Sequence, residues 1–300
     1  MPHELHLSGS YTLPGTSMTL NRMGYGAMQL AGPQVWGPPR DPAAAIAVLR
    51  EAVEVGVNHI DTSDFYGPHV TNQFIKKALF PYPAGLVIVT KVGYRRGPDK
   101  SWFPAYSRQN LIDDIHDNLR YLGLDILDVV NLRIGSDTGP SEGSIEEPLN
   151  VLETLRRQGL IRHIGLSNIT SGQLNEAQTI TNVVCVQNFY NVAHRNDDSF
   201  IDDLAARGIP YVPFFPLGGF TPLQSSLLDA TAAEVEATPM QVALAWLLQR
   251  SQNILLIPGT SSPDHLRQNI GAASLTLSSE MVARLDAMGE ASVSTSRSVQ

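Results

Sequence analysis

The chain has a single cysteine, Cys185, which excludes an internal disulfide. Its surroundings, "NVVCVQN", read as a buried strand, where a thiol lacks the polar, partly exposed setting that would make it reactive. No apolar run approaches the roughly 18 residues needed to cross a bilayer. No basic leader with an apolar segment and a small-residue cleavage site is visible, so a cytoplasmic protein without a membrane partner is expected. Positive charge is also scarce. A formal net charge of −8 argues against nucleic-acid binding, although a local basic pocket can sit inside an acidic protein. The eight histidines are scattered, with no HExxH or Cys/His cluster, so no catalytic metal is expected.

What is present is an alternation. Short runs of β-branched residues near 21–25, 58–61, 87–91, 127–132, 162–166, 183–187, 210–213 and 254–257 are followed by stretches of helical period. The helices are expected near 42–55, 70–80, 108–122, 147–158, 171–180, 198–207, 239–250 and 263–272. Eight such pairs make an α/β (β/α)8 TIM barrel, here preceded by an amino-terminal hairpin around "HELHLSGSYTL". Capping residues before proline (Asp41-Pro42, Thr238-Pro239, Ser262-Pro263) mark helix starts. Gly56, Gly123, Gly159 and Gly208 mark helix ends. No low-complexity linker interrupts the series, so residues 1–290 are expected to form one domain and 291–300 a disordered tail.

In such a barrel the carboxyl-terminal strand ends carry function. Here they are polar: Asp61, Lys91, Arg133, Ser167-Asn168 and Gln187, with Tyr66 just beyond Asp61 in "NHIDTSDFYG". Asp61 and Lys91 on adjacent strands should pair, since a lone charge there costs several kcal/mol. Taken alone, that is only a structural ion pair. Tyr66 adds a purpose, because a phenol beside an ammonium is stabilised as phenolate and is expected to titrate below its ordinary value of roughly 10. Asp61 would hold Lys91, Lys91 would tune Tyr66, and Tyr66 would hand over a proton.

Ser167, Asn168 and Gln187 offer the donors and acceptors that a planar carboxamide needs, and Phe214 offers a face for stacking. Each also has a plainer reading: Phe214 as core, Asn168 as a helix cap. The stretch "IPGTSSPDHLRQN" places hydroxyls and free amides at a helix amino terminus, which suits an anion, or else Ser262 simply caps that helix.

The motifs "GVNHIDTSDFYG", "IVTKVG", "HIGLSN", "VQNFYN", "PFFPLGG" and "IPGTSSPDHLRQN", in that order, resemble the aldo-keto reductase family over about residues 17–290. Within it, "GYGAMQLAGPQVWGPPRD" and "DFYGPHVTNQ" look most like bacterial pyridoxal reductase-like members. The resemblance implies reduction of an aldehyde or ketone, pyridoxal among the candidates, with NADP(H) as cofactor. It implies catalytic roles for Asp61, Tyr66, Lys91 and, where the family usually has histidine, Arg133. Arg133 would polarise the carbonyl or bind an anionic substituent, unless it turns away to pair with Asp64 or another loop acid.

For the cofactor, the resemblance implies contacts from Ser167, Asn168, Gln187, Phe214, Leu217, Gly219, Thr260, His265 and Asn269, with Gly259 where a lysine is common. No GxGxxG turn follows a strand, which agrees with a cofactor held on a barrel rim. Trp36, Phe65 and Trp102 are candidate substrate walls. Phe189 stands where the family often has glutamate. A monomer or small homo-oligomer is expected. Two other classes stay open: a regulatory protein that binds the cofactor with little turnover, and a Schiff-base lyase using Lys91, which would require that amine to be neutral.

Overall fold

In the computed structural model, residues 7–136, 139–219 and 223–297 are described. A hairpin of β1 (Ser10–Thr12) and β2 (Thr19–Asn21) comes first. It is followed by a parallel six-stranded sheet in the order β10-β9-β8-β5-β4-β3. Those strands are β3 (Tyr25–Gly26), β4 (His59–Asp61), β5 (Val87–Val92), β8 (Leu127–Arg133), β9 (Ile161–Ser167) and β10 (Val183–Gln187).

The strands expected at 210–213 and 254–257 are reduced to single bridges, Val186 to Tyr211, Tyr211 to Ile254 and Met23 to Leu256. Those bridges still close the barrel. Pro210, Pro213 and Pro258 have no N–H to give to a ladder, which keeps these two segments from pairing at length. Where closure brings Gly26 and Gly259 together, a Cβ on Gly26 would run into the Ile257 carbonyl.

Helices α1 (Pro42–Glu54), α2 (Val70–Leu79), α3 (Arg108–Leu122) and α4 (Glu146–Arg157) alternate with the strands. So do α5 (Ser171–Gln178), α6 (Asp198–Ala206), α8 (Pro239–Arg250) and α9 (Pro263–Gly271). Their caps follow from sequence. The Asp41 carboxylate accepts from the Ala43 and Ala44 amides, and Thr238 and Gln241 form a reciprocal capping box. The terminating glycines take φ of 98° (Gly56), 71° (Gly123), 83° (Gly159) and 69° (Gly208).

Among the elements not expected are an antiparallel hairpin β6 (Tyr94–Arg96) and β7 (Trp102–Pro104) over the rim, helix α7 (Ser226–Glu234) and the carboxyl-terminal helix. The last helix, α10 (Ser279–Arg297), continues into the stretch where composition suggests a disordered tail. Residues 1–6 and 298–300 lie outside the described residues.

Both faces of the central strands are buried, which explains unbroken apolar runs such as "VIVTKV". Alternation sends Val87, Val89 and Lys91 inward from β5, and Val129, Asn131 and Arg133 inward from β8. Leu13 and Leu20 of the first hairpin pack with Val87, Val89, Val129, Leu255 and Ile257 in the barrel interior. The floor is therefore mostly apolar, with His59 its buried polar exception, and the charged groups sit at the carboxyl-terminal strand ends.

Candidate active site

Register sets the polar row. Gly26 pairs Asp61, Asp61 pairs Val89, Lys91 pairs Asn131, and Ser167 pairs both Arg133 and Gln187. Lys91 and Asp61 thus meet diagonally inside the barrel. The Lys91 ammonium donates to Asp61 Oδ1 at 2.5 Å and to the Thr62 carbonyl at 3.1 Å, with both ionic side chains buried. Asp61 Oδ2 accepts from Gln187 Nε2 at 2.8 Å.

The turn after β4 is held by its own small side chains. Ser63 Oγ donates to the Lys91 carbonyl at 3.1 Å, and Thr71 Oγ1 donates to the Tyr66 carbonyl at 3.1 Å. The Tyr66 ring stands edge-on to Phe65, with centroids 5.3 Å apart. Lys91 Nζ lies 5.2 Å from the Tyr66 ring centre, close enough for its charge to act on the phenol.

The expected fall in the Tyr66 pKa is overturned. Burial raises it, Asp61 adds to the rise, and the opposing pull of Lys91 and Arg133 does not compensate. Tyr66 is therefore fully protonated at neutral pH. Lys91 is held above its ordinary value: burial acts to lower it, but the charges and hydrogen bonds of Asp61 and Tyr66 outweigh that. A neutral amine at Lys91, which a Schiff-base reaction needs, is disfavoured.

Arg133 does not pair with Asp64. Its Nη1 reaches Ser167 Oγ at 3.4 Å, its Nη2 donates to the Ser136 carbonyl at 3.1 Å, and its Cζ lies 4.6 Å from the Phe214 ring centre and 5.9 Å from that of Tyr94. Asp64 faces α3, where burial and then Asp114 push its carboxyl well above the usual range, against hydrogen bonds from Ser63 and Asn118.

The cavity above these residues measures about 420 Å³, within the ordinary range for small-molecule sites. Asp61, Tyr66, Lys91, Arg133, Gln187 and Phe214 line it, as do Leu217 and Gly219. Ser167 and Asn168 are fully buried beside it. The Asn168 amide nitrogen reaches the Ile134, Ser136 and Gly139 carbonyls, so Asn168 braces the loop after β8 and does not cap α5, whose cap is Thr170.

Two buried acceptors, Asn168 Oδ1 and Gln187 Oε1, have no hydrogen-bond partner. Both match a carboxamide NH2 in need of acceptors, so the residues present fit a nicotinamide.

At the far end, Thr260 Oγ1 accepts from the Ser262 amide at 3.0 Å, and Ser262 caps α9 by accepting from the His265 amide at 3.4 Å. Thr260 and Asn269 are buried, His265 is exposed, and none of the three lines the 420 Å³ cavity. A second cavity of about 430 Å³, lined by Arg40 and Ser261, shares Met28, Gln29 and Gly219 with the first. The pair makes an elongated groove along the rim.

Of the expected substrate walls, Phe65 and Trp102 line the cavity and Trp36 does not. Trp36 lies behind Arg96, whose guanidinium sits 3.8 Å from the Trp102 ring centre and 5.4 Å from that of Trp36. Arg96 also donates to the carbonyls of Gln34, Val35 and Lys100, tying the loop after β3 to the β6-β7 hairpin.

Residues 22–290 match the aldo/keto reductase family. The chain belongs to that family. It is 65% identical to a protein of Escherichia coli K12 named pyridoxine 4-dehydrogenase, over 93% of this chain and 98% of that one. It is 37% identical to an uncharacterized oxidoreductase of Schizosaccharomyces pombe, over 91% and 88%. Among solved structures, a thermostable aldo-keto reductase in complex with the inhibitor epalrestat superposes with a TM-score of 0.78 at 29% identity, covering 93% of this chain and 99% of that chain. The protein is accordingly an oxidoreductase of the carbonyl–alcohol couple that uses NADP(H).

Three features of this aldo/keto reductase were missed in the sequence. Tyr94, Phe189 and Phe215 line the cavity. Tyr94 sits in an unforeseen hairpin. Phe189 stacks with His194, centroids 4.0 Å apart, and with Phe214 at 5.8 Å, contacts that an aromatic ring makes and a glutamate would not. The "NFYN" aromatic pair next to Gln187 was the available signal. Among the described residues, no helix is long and apolar enough to cross a membrane.

Proposed function

We propose that the protein reduces the aldehyde of a small aromatic substrate, pyridoxal being the leading candidate, to its alcohol. The hydride would come from NADPH bound along the rim within a single barrel domain. The observation that carries this is the Asp61-Lys91-Tyr66 chain opening into an aromatic-walled cavity beside two unpartnered carboxamide acceptors.

Tyr66 supplies the proton to the carbonyl oxygen. Its raised pKa keeps the proton in place until a stronger base, the developing alkoxide, draws it away. The Lys91 ammonium stabilises the phenolate left behind, and Asp61 keeps that ammonium charged and aimed. Arg133 donates to oxygen on the substrate, either the carbonyl or the phenolic oxygen that the pyridine ring of pyridoxal carries.

Phe65, Tyr94 and Trp102 wall a flat aromatic ring. Ser167, Asn168 and Gln187 would hold the nicotinamide carboxamide, with Phe214 at its ring. When bound, the cofactor supplies the hydride and nothing else to the proton inventory. Leu217 and Gly219 would hold the adjoining stretch of the dinucleotide, and Thr260, His265 and Asn269 its phosphate end.

The name of the Escherichia coli relative supports a vitamin-B6 substrate at 65% identity. The decisive test is Tyr66→Phe. It should lower NADPH-dependent reduction of pyridoxal at least about 100-fold while leaving the dissociation constant for NADPH nearly unchanged. Turnover at the wild-type rate would sink the acid role.

A further inference from the structure

Arg133 occupies two of the groups, Ser167 and Phe214, that the nicotinamide-binding reading reserves for the cofactor, while Asn168 Oδ1 and Gln187 Oε1 stay without a partner. Its guanidinium is planar, lies over the Phe214 ring at 4.6 Å, and points an N–H at Ser167 Oγ at 3.4 Å. A nicotinamide is likewise a planar π-system carrying NH2 donors. The guanidinium and the nicotinamide therefore seek the same ring face and the same hydroxyl, and cannot hold both at once.

A second landing place exists. The Tyr94 ring centre is 5.9 Å from Arg133 Cζ, on the side of the cavity where Tyr94 packs near Phe65, at 6.3 Å, and Phe65 against Tyr66, at 5.3 Å. Arg133 Cζ is thus within cation–π range of both rings, so a shift off Phe214 toward Tyr94 gives up one contact and keeps the other on the substrate side of the cavity.

We propose that Arg133 is a displaceable placeholder: docking of the nicotinamide expels its guanidinium from Phe214 and Ser167 and delivers it to the substrate oxygen site. The oxygen-binding donor is then assembled only on the cofactor-loaded protein, which makes substrate binding conditional on cofactor. This inference rests on the NADP(H) reading above and adds to it a moving specificity residue. The long arginine side chain at the end of β8 makes the exchange possible, and the histidine usual in the family has no comparable reach.

The sign of one effect separates this role from plain attraction. A cation near a polyanionic cofactor would ordinarily strengthen binding, so its removal should weaken it. A competitor has the opposite effect. Titration of wild type, Arg133→Ala and Arg133→Lys with NADPH and NADP+, followed by tryptophan fluorescence and calorimetry, reads this directly.

Loss of one cation–π stack is expected to tighten NADPH binding by Arg133→Ala about three- to fivefold. The same variant, saturated with NADP+, should lose measurable calorimetric binding of pyridoxine. Arg133→Lys, which keeps the charge without the flat stack, should also bind NADPH more tightly than wild type, and it serves alone if the alanine variant fails to fold. Equal or weaker NADPH binding in the folded variants overturns the proposal while leaving the reductase reading intact. Failure of the wild-type protein to bind NADPH or NADP+ overturns both.

Discussion

Gln187 donates through Nε2 to Asp61 Oδ2 at 2.8 Å, so one carboxamide joins the wall of the cavity to the carboxylate that anchors Lys91. The two halves of the site share a single side chain. Its amide nitrogen faces the Asp61-Lys91 pair, while its oxygen has no partner.

Gln187→Leu should therefore impair both halves together. A buried hydrogen bond to a charged group contributes about 1.5–3 kcal/mol, so kcat is expected to fall about 10- to 100-fold through a mis-set Asp61-Lys91 pair. The dissociation constant for NADPH should rise as well, because one of the two orphan acceptors is gone. A variant with normal turnover and weaker cofactor binding would show that Gln187 serves the cofactor alone.

The Asp61-Lys91 pair is predicted to cost stability when broken on one side and much less when removed as a pair. Lys91→Met leaves a buried carboxylate unpaired and should destabilise the fold by about 3–5 kcal/mol in urea titration. Adding Asp61→Asn should restore much of that loss while both variants stay inactive. If the double variant is no more stable than Lys91→Met, the pair is not the source of the destabilisation.

His59 sets a pH limit on stability. Its imidazole is fully buried on the inward face of β4, neither nitrogen has a partner, and burial pushes its pKa down to about 4 from 6.5. Because the folded value lies below the unfolded one, the unfolded chain takes up the proton first as pH falls. The penalty is absent above about pH 6.5 and grows to about 3 kcal/mol toward pH 4. Asp114, pushed up to about 6 chiefly by burial, acts in the opposite sense over part of this window. The comparison of wild type with His59→Leu isolates the histidine. Urea midpoints from pH 7 to 4.5 should fall less steeply in the variant, and parallel curves would exclude the assignment.

Element boundaries were largely legible in the sequence, because they rest on local chemistry. Asp41, Thr238 and Ser262 cap the helices they precede, and Gly56, Gly123, Gly159 and Gly208 end helices with positive φ. Strand-end positions were legible for the same reason, which is why Asp61, Lys91, Arg133, Ser167 and Gln187 could be named as one row. The prolines at 210, 213 and 258 carried a warning about the last two strands that periodicity alone hides.

By itself, then, the order of apolar and polar residues determined the barrel and which side chains reach its rim, since each depends on neighbours a few positions away. The tertiary structure alone decided what those side chains do to one another. Depth of burial reversed the expected shift of Tyr66, a balance of desolvation against charge that no spacing encodes. The Gln187–Asp61 bond spans 126 positions, and the seat of Arg133 on Phe214 and Ser167 joins three strand ends. Contacts between groups so far apart along the chain follow from the packed shape of the whole barrel.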